Sequence, residues 1–411
     1  MKQTKLNINF KRLKETIETS ASIGTTPNHG LCRLALTKED QEMRDVFKKW
    51  LEEAGLEVKI DDFGNMFGRR IGNQDLPPVL IGSHLDTQPQ GGRFDGILGV
   101  LTSLEVIRTL NDHQIETERP IEIVNFTNEE GARFEPPLLG SGGSVGVFTK
   151  EFVYSRKDRD GKSFGDELEK IGYKGDETNR LKEGHAFIEL HIEQGPILES
   201  KGITIGAVEG IKGMSWLEIK VEGKGGHAGP TPMALRHDAL FATAHIIQNI
   251  EAHAKSDPDL SVTIGKLSLK PDVTNCIPDE VIFSLDVRHK YDNVRLTFID
   301  EVKEMIEVIT KERGVNATIN SVWEVDTTHF DPHLIESVEK HAQDLGYSVE
   351  RIYSGAGHDA KYVHEIIPTS MIFIPSIGGI SHVEDEFSKD EDIEKGANVL
   401  LQTVLQLANE T

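Results

Sequence analysis

Residues 79–126 read VLIGSHLDTQPQGGRFDGILGVLTSLEVIRTLNDHQIETERPIEIVNF, and this stretch decides the fold. Val79 to Ser83 reads as a buried strand, and His84-Leu-Asp86 follows it directly. A glycine-rich loop comes next, Gly91-Gly-Arg-Phe-Asp95-Gly96. From Ile97 to Leu110 apolar residues recur at 97, 100, 101, 104 and 107, the spacing of a helix with one apolar face. A second apolar strand spans Ile121 to Phe126. Strand, helix, strand in this order predicts a βαβ unit in a mainly parallel sheet. In an open sheet of that kind, ligands bind beyond the carboxyl ends of the strands.

Two more segments share the grammar of this stretch. Phe187 to Leu190 leads to His191, and Met371 to Ile374 leads through a Gly-Gly loop to His382. The Ile121 run leads to the pair Glu129-Glu130. Each residue has a plain structural reading. His84-x-Asp86 is a weak pattern, and Asp95 fits a helix cap. Glu129 and Glu130 fit a solvated loop, because adjacent carboxylates repel unless water or a cation separates their charges. His191 fits a core histidine and His382 a loop residue. Their shared position past apolar runs predicts instead one metal site built from His84, Asp95, the pair Glu129-Glu130, His191 and His382. Asp86 is expected to orient His84, since a ligating imidazole gives its other N–H to a carboxylate or carbonyl. Mixed His and carboxylate ligands suit Zn, Mn, Co or Ni, and the lack of thiolates argues against a structural zinc. Five ligands exceed the roughly three that one catalytic zinc uses, but they suffice for two ions if one carboxylate bridges.

Further out, Asp40 to Ala54 has helical spacing, and Leu56 to Ile60 and Asn65 to Ile71 read as short strands. The pattern changes near Gly210-Ile-Lys-Gly213. Leu217, Ile219 and Val221 alternate with charged residues, which predicts a strand with one wet face. A helix is expected over about 234–254, strands over 262–269 and 281–287, a helix over about 291–313 and a strand near 317–325. The order βαββαβ is a ferredoxin-like unit. The expected fold is therefore α/β, with a catalytic domain over 1–212 and 329–411 and an inserted α+β domain over 213–328.

Composition narrows the function classes. The chain has 411 residues, 37% hydrophobic and 27% charged, with a formal net charge of -23. That balance disfavours nucleic acid and anionic membranes as partners. No run approaches the roughly 18 apolar residues of a membrane span. The N-terminal residues 1–10 hold no apolar leader core, so a cytoplasmic location is expected. Cys32 and Cys276 cannot build a disulfide framework and are expected to be buried.

Six motifs in order carry a family resemblance over nearly the whole chain: Gly82-Ser-His-Leu-Asp-Thr87, Gly91-Gly-Arg-Phe-Asp-Gly96, Asn128-Glu-Glu-Gly131, His191-Ile-Glu-Gln-Gly-Pro196, Gly226-His-Ala-Gly-Pro230 and Gly355-Ala-Gly-His-Asp359. With them the chain resembles the dinuclear-metal aminoacylase and carboxypeptidase superfamily. More narrowly, it is similar to the amidase, hydantoinase and carbamoylase branch, which holds N-carbamoyl-L-amino acid hydrolase, β-ureidopropionase and allantoate amidohydrolase. The resemblance implies two divalent ions. His84, Asp95 and His191 would hold one, and Asp95, Glu130 and His382 the other, with Asp95 bridging. Glu129 would be the general base acting on a hydroxide or water between the ions. His191 separates branches, because many exopeptidase relatives carry a carboxylate there.

For the substrate, the resemblance implies contacts from Gln194, His227, Asn275, Arg288 and Gly357. His227 would reach the partner subunit's site in a homodimer and stabilise an oxyanion. Each keeps a plain alternative: Arg288 as a strand-face ion pair, Asn275 as a turn residue, His227 as a loop histidine. Glu193 is equally open between support of the site and structure, and His358 and Asp359 lie near the site without a role. The chain departs from its relatives at Cys276-Ile-Pro-Asp279 and in the acidic run Val383-Glu-Asp-Glu386. The implied reaction is metal-dependent cleavage of the ureido C–N bond of N-carbamoyl-L-amino acids or N-carbamoyl-β-alanine, giving amino acid, ammonia and CO2. Allantoate hydrolysis is the alternative, and a metal-dependent exopeptidase or N-acyl hydrolase a more distant one. Gly30-Leu-Cys-Arg-Leu-Ala-Leu and Arg108-Thr-Leu-Asn-Asp lean toward the carbamoylase side.

Overall fold

The computed structural model describes residues 6–410. Half of the N-terminal stretch read for a leader, residues 1–5, lies outside them. The chain divides into two compact units, one of residues 1–209 with 330–411 and one of residues 210–329.

The first unit is organised by one mixed sheet. Its strands run in the order Glu57–Ile60, Met66–Arg70, Ile121–Phe126, Val79–His84, Ala186–Ile192, Thr369–Ile374, Ile205–Ile211. The four in the centre are parallel, and they are the four apolar runs that precede the candidate ligands. The flanking pairs are antiparallel. The parallel character is thus confined to the middle, where Val79–His84, Ala186–Ile192 and Thr369–Ile374 are buried along their whole length. Strands covered on both faces read as continuous apolar runs, which is why they stand out in the sequence. Helix Ile97–Asp112 packs on Val79–His84, and helix Asp390–Leu407 packs on Thr369–Ile374. Each fully buried Leu, Ile or Phe in these layers contributes about 1.5–3 kcal/mol.

The second unit has an antiparallel sheet ordered Leu267–Lys270, Glu280–His289, Gly213–Glu222, Asn316–Val325. Helices Ala239–Ala254 and Asp292–Arg313 pack against it, and Ile219, Val221, Phe283, Ile246, Val302 and Ile306 form its core. The element order is βαββαβ. Two details differ from the sequence expectation. The first helix starts at Ala239, not near 234, because the Asp238 carboxylate accepts the N–H groups of Leu240 and Phe241 and caps it there. The expected strand over 262–269 is two pieces, Ser261–Thr263 and Leu267–Lys270. Between the pairs Thr263↔Asp286 and Leu267↔Phe283 the register slips by one residue, a bulge around Gly265. Cys32 and Cys276 are half-buried, not buried as expected. Cys276 sits in a two-residue ribbon, Cys276–Ile277 against Gly226–His227, which is too small to cover it. No helix of the described residues is long and apolar enough to cross a membrane.

Candidate metal centre

The carboxyl ends of the four parallel strands bring the candidate ligands together. His84 is the last residue of its strand and His191 the next-to-last of its own, so both lie inside the strands, not past them. Glu129 and Glu130 follow Phe126, and His382 comes from the loop after Ile374. Asp95 does not cap the helix that begins at Ile97; the capping position is Gly96, and no side chain caps it. Gly96 has φ +66°, and a Cβ there would lie 2.2 Å from the His84 ring. Only glycine therefore lets the Asp95 loop close on His84.

Asp95 divides its two oxygens. Oδ1 lies 3.1 Å from His191 Nε2 and 3.8 Å from His84 Nε2. Oδ2 lies 3.4 Å from His382 Nε2, which in turn is 3.5 Å from Glu130 Oε2. Two donor groups result, His84 with Asp95 and His191, and Asp95 with Glu130 and His382, each with its atoms within 4.8 Å of one another. Glu129 Oε2 stands 3.4 Å from His84 Nε2 and belongs to neither group. The donor set fits two divalent ions that share Asp95. A buried His84 Nε2 without a hydrogen-bond partner supports that fit, because such an atom is costly unless something coordinates it.

The surrounding hydrogen bonds orient these groups. The His84 Nδ1 proton goes to the backbone carbonyl of Asp86 at 3.0 Å, so Asp86 meets His84 through its main chain and not its carboxylate. That carboxylate instead accepts the N–H groups of Glu129 (3.2 Å) and Glu130 (3.3 Å). Asp86 therefore fixes the main chain of Glu129 and Glu130 through its carboxylate. Arg33, fully buried, donates to the Leu85 carbonyl and braces the segment between His84 and Asp86. His191 Nδ1 points at the Ile192 carbonyl (2.8 Å), and its ring packs on His358 with centroids 4.5 Å apart. Gln88 donates to Glu130 at 2.7 Å. Asn128, Gln194 and His382 all have left-handed φ of 57–61°. Backbone held there costs about 1–3 kcal/mol per residue, and such strain clusters at functional sites.

Electrostatics separate the carboxylates. Burial pushes Glu129 well above the usual carboxylate range, helped by Asp359 and Glu130, and burial with Asp95 does the same to Glu130. For Asp95 burial works in the same direction, but the bonds with His191 and His382 outweigh it and hold the group well below that range. Burial pulls His84 down to about 4. Burial also works against charge on His191, yet its contact with Asp95 lifts it to about 9; the Gly96 N–H lies 3.1 Å from the same Nε2. As ligands, Glu130 and His191 would first give up protons, so ion affinity at this candidate centre is expected to rise as pH rises through their pKa values. Competition with a metal-binding dye at pH 6, 7 and 8 is expected to show affinity growing about tenfold per pH unit for each proton released. A pH-independent affinity would contradict the ligand set.

Comparison with known proteins matches residues 80–406 to peptidase family M20/M25/M40. The chain belongs to peptidase family M20/M25/M40. Within this family it is 44% identical over 407 residues to an N-carbamoyl-L-amino-acid amidohydrolase of Rhizobium meliloti, spanning 98% of this chain and 97% of that protein. It is 34% identical to an allantoate amidohydrolase of Bacillus subtilis over 99% of this chain and 100% of that one. Its backbone superposes on an amidase of the hydantoinase/carbamoylase family from Burkholderia multivorans with TM-score 0.96 and 45% identity, covering 98% and 99% of the two chains. These similarities place it in the carbamoylase branch of the M20/M25/M40 family.

The remaining expected site residues fall in both units of this M20/M25/M40 chain. In the first unit, Gln194 Nε2 donates to Asp95 Oδ2 at 2.7 Å and lies 3.3 Å from His382 Nε2. Gly357 is exposed in the loop before helix Ala360–Val363. Glu193 accepts the N–H groups of Ile197 and Leu198 at the start of a short helix. In the second unit, strand pairing of Cys276 with His227 sets Asn275 beside His227, and both are exposed. Arg288 is engaged by Asp286, two positions away on the same strand face, at 2.8–3.2 Å. Sequence reading missed Ser381, whose hydroxyl lies 2.9 Å from Asp95 Oδ2, and Glu386 beside it. The signal for Glu386 was the acidic run after His382; Ser381, just before His382, had none.

Proposed function

We propose that this chain hydrolyses the ureido C–N bond of N-carbamoyl-L-amino acids or N-carbamoyl-β-alanine to amino acid, ammonia and CO2. The observation that carries the reading is one carboxylate, Asp95, turning an oxygen to each of two donor groups while Glu129 stands beside them outside both. Full-length similarity to relatives named for N-carbamoyl-L-amino acids supports the substrate class. His84, Asp95 and His191 hold one divalent ion and Asp95, Glu130 and His382 the other, drawn from Zn, Mn, Co or Ni. Such a pair supplies Lewis-acid polarisation of the carbonyl and makes a water acidic near neutral pH, which suits a ureido carbon weakened as an electrophile by two nitrogens. Glu129 takes the proton of the attacking water and delivers it to the leaving nitrogen. Gln194, Gly357, His227, Asn275 and Arg288 are the proposed substrate contacts. The Arg288 fork suits the substrate carboxylate once it leaves Asp286. The 210–329 unit is the proposed dimerisation unit, with His227 serving the partner subunit's oxyanion.

Ammonia release from N-carbamoyl-L-amino acids, N-carbamoyl-β-alanine and allantoate, with free amine from a dipeptide, tests this directly. Chelator-sensitive release from the carbamoyl compounds is expected. Release from allantoate alone would move the substrate to the second reading, which the Bacillus subtilis relative favours. Dipeptide cleavage alone would sink the ureidase assignment. Full activity in a sedimenting monomer would remove the dimer.

A further inference from the structure

One buried carboxylate outside the ligand set touches both loops of the centre. Glu386 lies four residues after His382 and is 4% exposed. Its Oε1 accepts the backbone N–H groups of Phe94 at 3.1 Å and Asp95 at 3.0 Å. Its Oε2 lies 2.8 Å from Ser381 Oγ, and the same hydroxyl lies 2.9 Å from Asp95 Oδ2. A Cβ on Gly92 would sit 2.2 Å from Glu386 Oε1, so glycine is required for the carboxylate to reach these amides. Asp95 is thus held by its main chain directly, and Ser381 Oγ lies between the two carboxylates, giving its one proton to one of them at a time.

We propose that Glu386 is a positioning residue that sets the direction of each Asp95 oxygen, and through it the affinity for the ion held by Asp95, Glu130 and His382. The inference rests on the two-ion reading above. The physical reason is geometric. A bridging carboxylate serves two ions only if its plane is fixed, and rotation about the Cβ–Cγ bond would turn Oδ2 away from His382. Ser381 contacts Oδ2, the oxygen on the His382 side, so loss of the Glu386–Ser381 link falls mainly on that ion. Groups that orient ligands from behind typically change metal affinity by about 10–100-fold when removed.

The hydrogen count supplies a discriminating pair of variants. In Glu386→Gln the amide oxygen still accepts the two backbone N–H groups. Its NH2 donates to Ser381 Oγ, which leaves the hydroxyl proton for Asp95 Oδ2. Glu386→Ala loses all of these bonds. The experiment loads the full-length protein with Zn2+ or Mn2+ and follows both ions by chelator competition, with melting of the chelator-treated protein alongside. Glu386→Ala and Ser381→Ala are expected to weaken the second ion about 10–100-fold and the first much less. Glu386→Gln is expected to stay within about threefold of the parent, the range of a reorganised but retained hydrogen bond. Unchanged affinity in Glu386→Ala would overturn the proposal. So would equal weakening of both ions with a collapsed melting temperature, which marks a purely structural staple. Equal loss in the Gln and Ala variants would assign the effect to charge and overturn the geometric argument. The readout uses no substrate. If the parent binds two ions yet cleaves no ureido compound, the substrate reading fails and this inference stands. If the parent binds only one ion, the inference falls with the dinuclear centre.

Discussion

Glu129→Gln is expected to lower kcat by about a thousandfold, with both ions still bound, since a positioned general base contributes about 10²–10⁴ in rate. The loss corresponds to about 4 kcal/mol in the barrier. The substitution is nearly isosteric. The Glu129 N–H bond to Asp86 and the carbonyl that accepts Leu138 N–H belong to the backbone and survive it. The side chain belongs to neither donor group, so ion content stays at the parental level. What disappears is the basic oxygen. Burial, Asp359 and Glu130 raise its pKa in the ion-free protein, and two cations nearby reverse much of that like-charge cost. Steady-state kinetics and metal analysis on the same sample check the prediction. Activity within tenfold of the parent would remove Glu129 from the proton-transfer role.

Asp95→Asn is expected to bind no more than one ion and to lose detectable turnover. A carboxylate offers a lone-pair oxygen to each donor group, whereas an amide offers one oxygen and one NH2, which no ion accepts as a ligand. Whichever way the Asn turns, one group loses its shared ligand. His382→Ala differs, because it removes a ligand from one group only, so the His84 and His191 side keeps its donors. Metal content after dialysis against a weak chelator separates the cases. Two tightly held ions in Asp95→Asn would show that Asp95 does not bridge.

The legible part of this molecule is local. Val79–His84 and Ile121–Phe126 were readable because strands at the buried middle of a sheet are mainly apolar, with Glu122 the one half-buried position of the second. Gly213–Glu222 was readable because one wet face imposes alternation, seen as buried residues at 217, 219 and 221. The candidate ligands were readable by chemical type, since His and carboxylate just after apolar runs have few other reasons to recur four times. Helix starts were less so. The apolar spacing before Ala239 continues past the point where Asp238 intercepts two N–H groups, and spacing carries no information about capping geometry.

Residue types and their spacing by themselves determined the βαβ core, the second βαββαβ unit, and which side chains are candidates for a metal centre. Tertiary structure alone decided how those side chains share their atoms. Asp95 meets His191 from 96 positions away and Glu386 from 291, and nothing local to residue 95 specifies which oxygen faces which partner. The Asp86 carboxylate acts on Glu129 and Glu130 while its carbonyl holds His84, a division between main chain and side chain that periodicity leaves free. Arg288 is met by Asp286 across one strand face, a pairing any alternating strand permits but only packing selects. Strand and helix patterns follow from the periodicity of one segment, whereas a metal centre follows from the meeting of four strand ends.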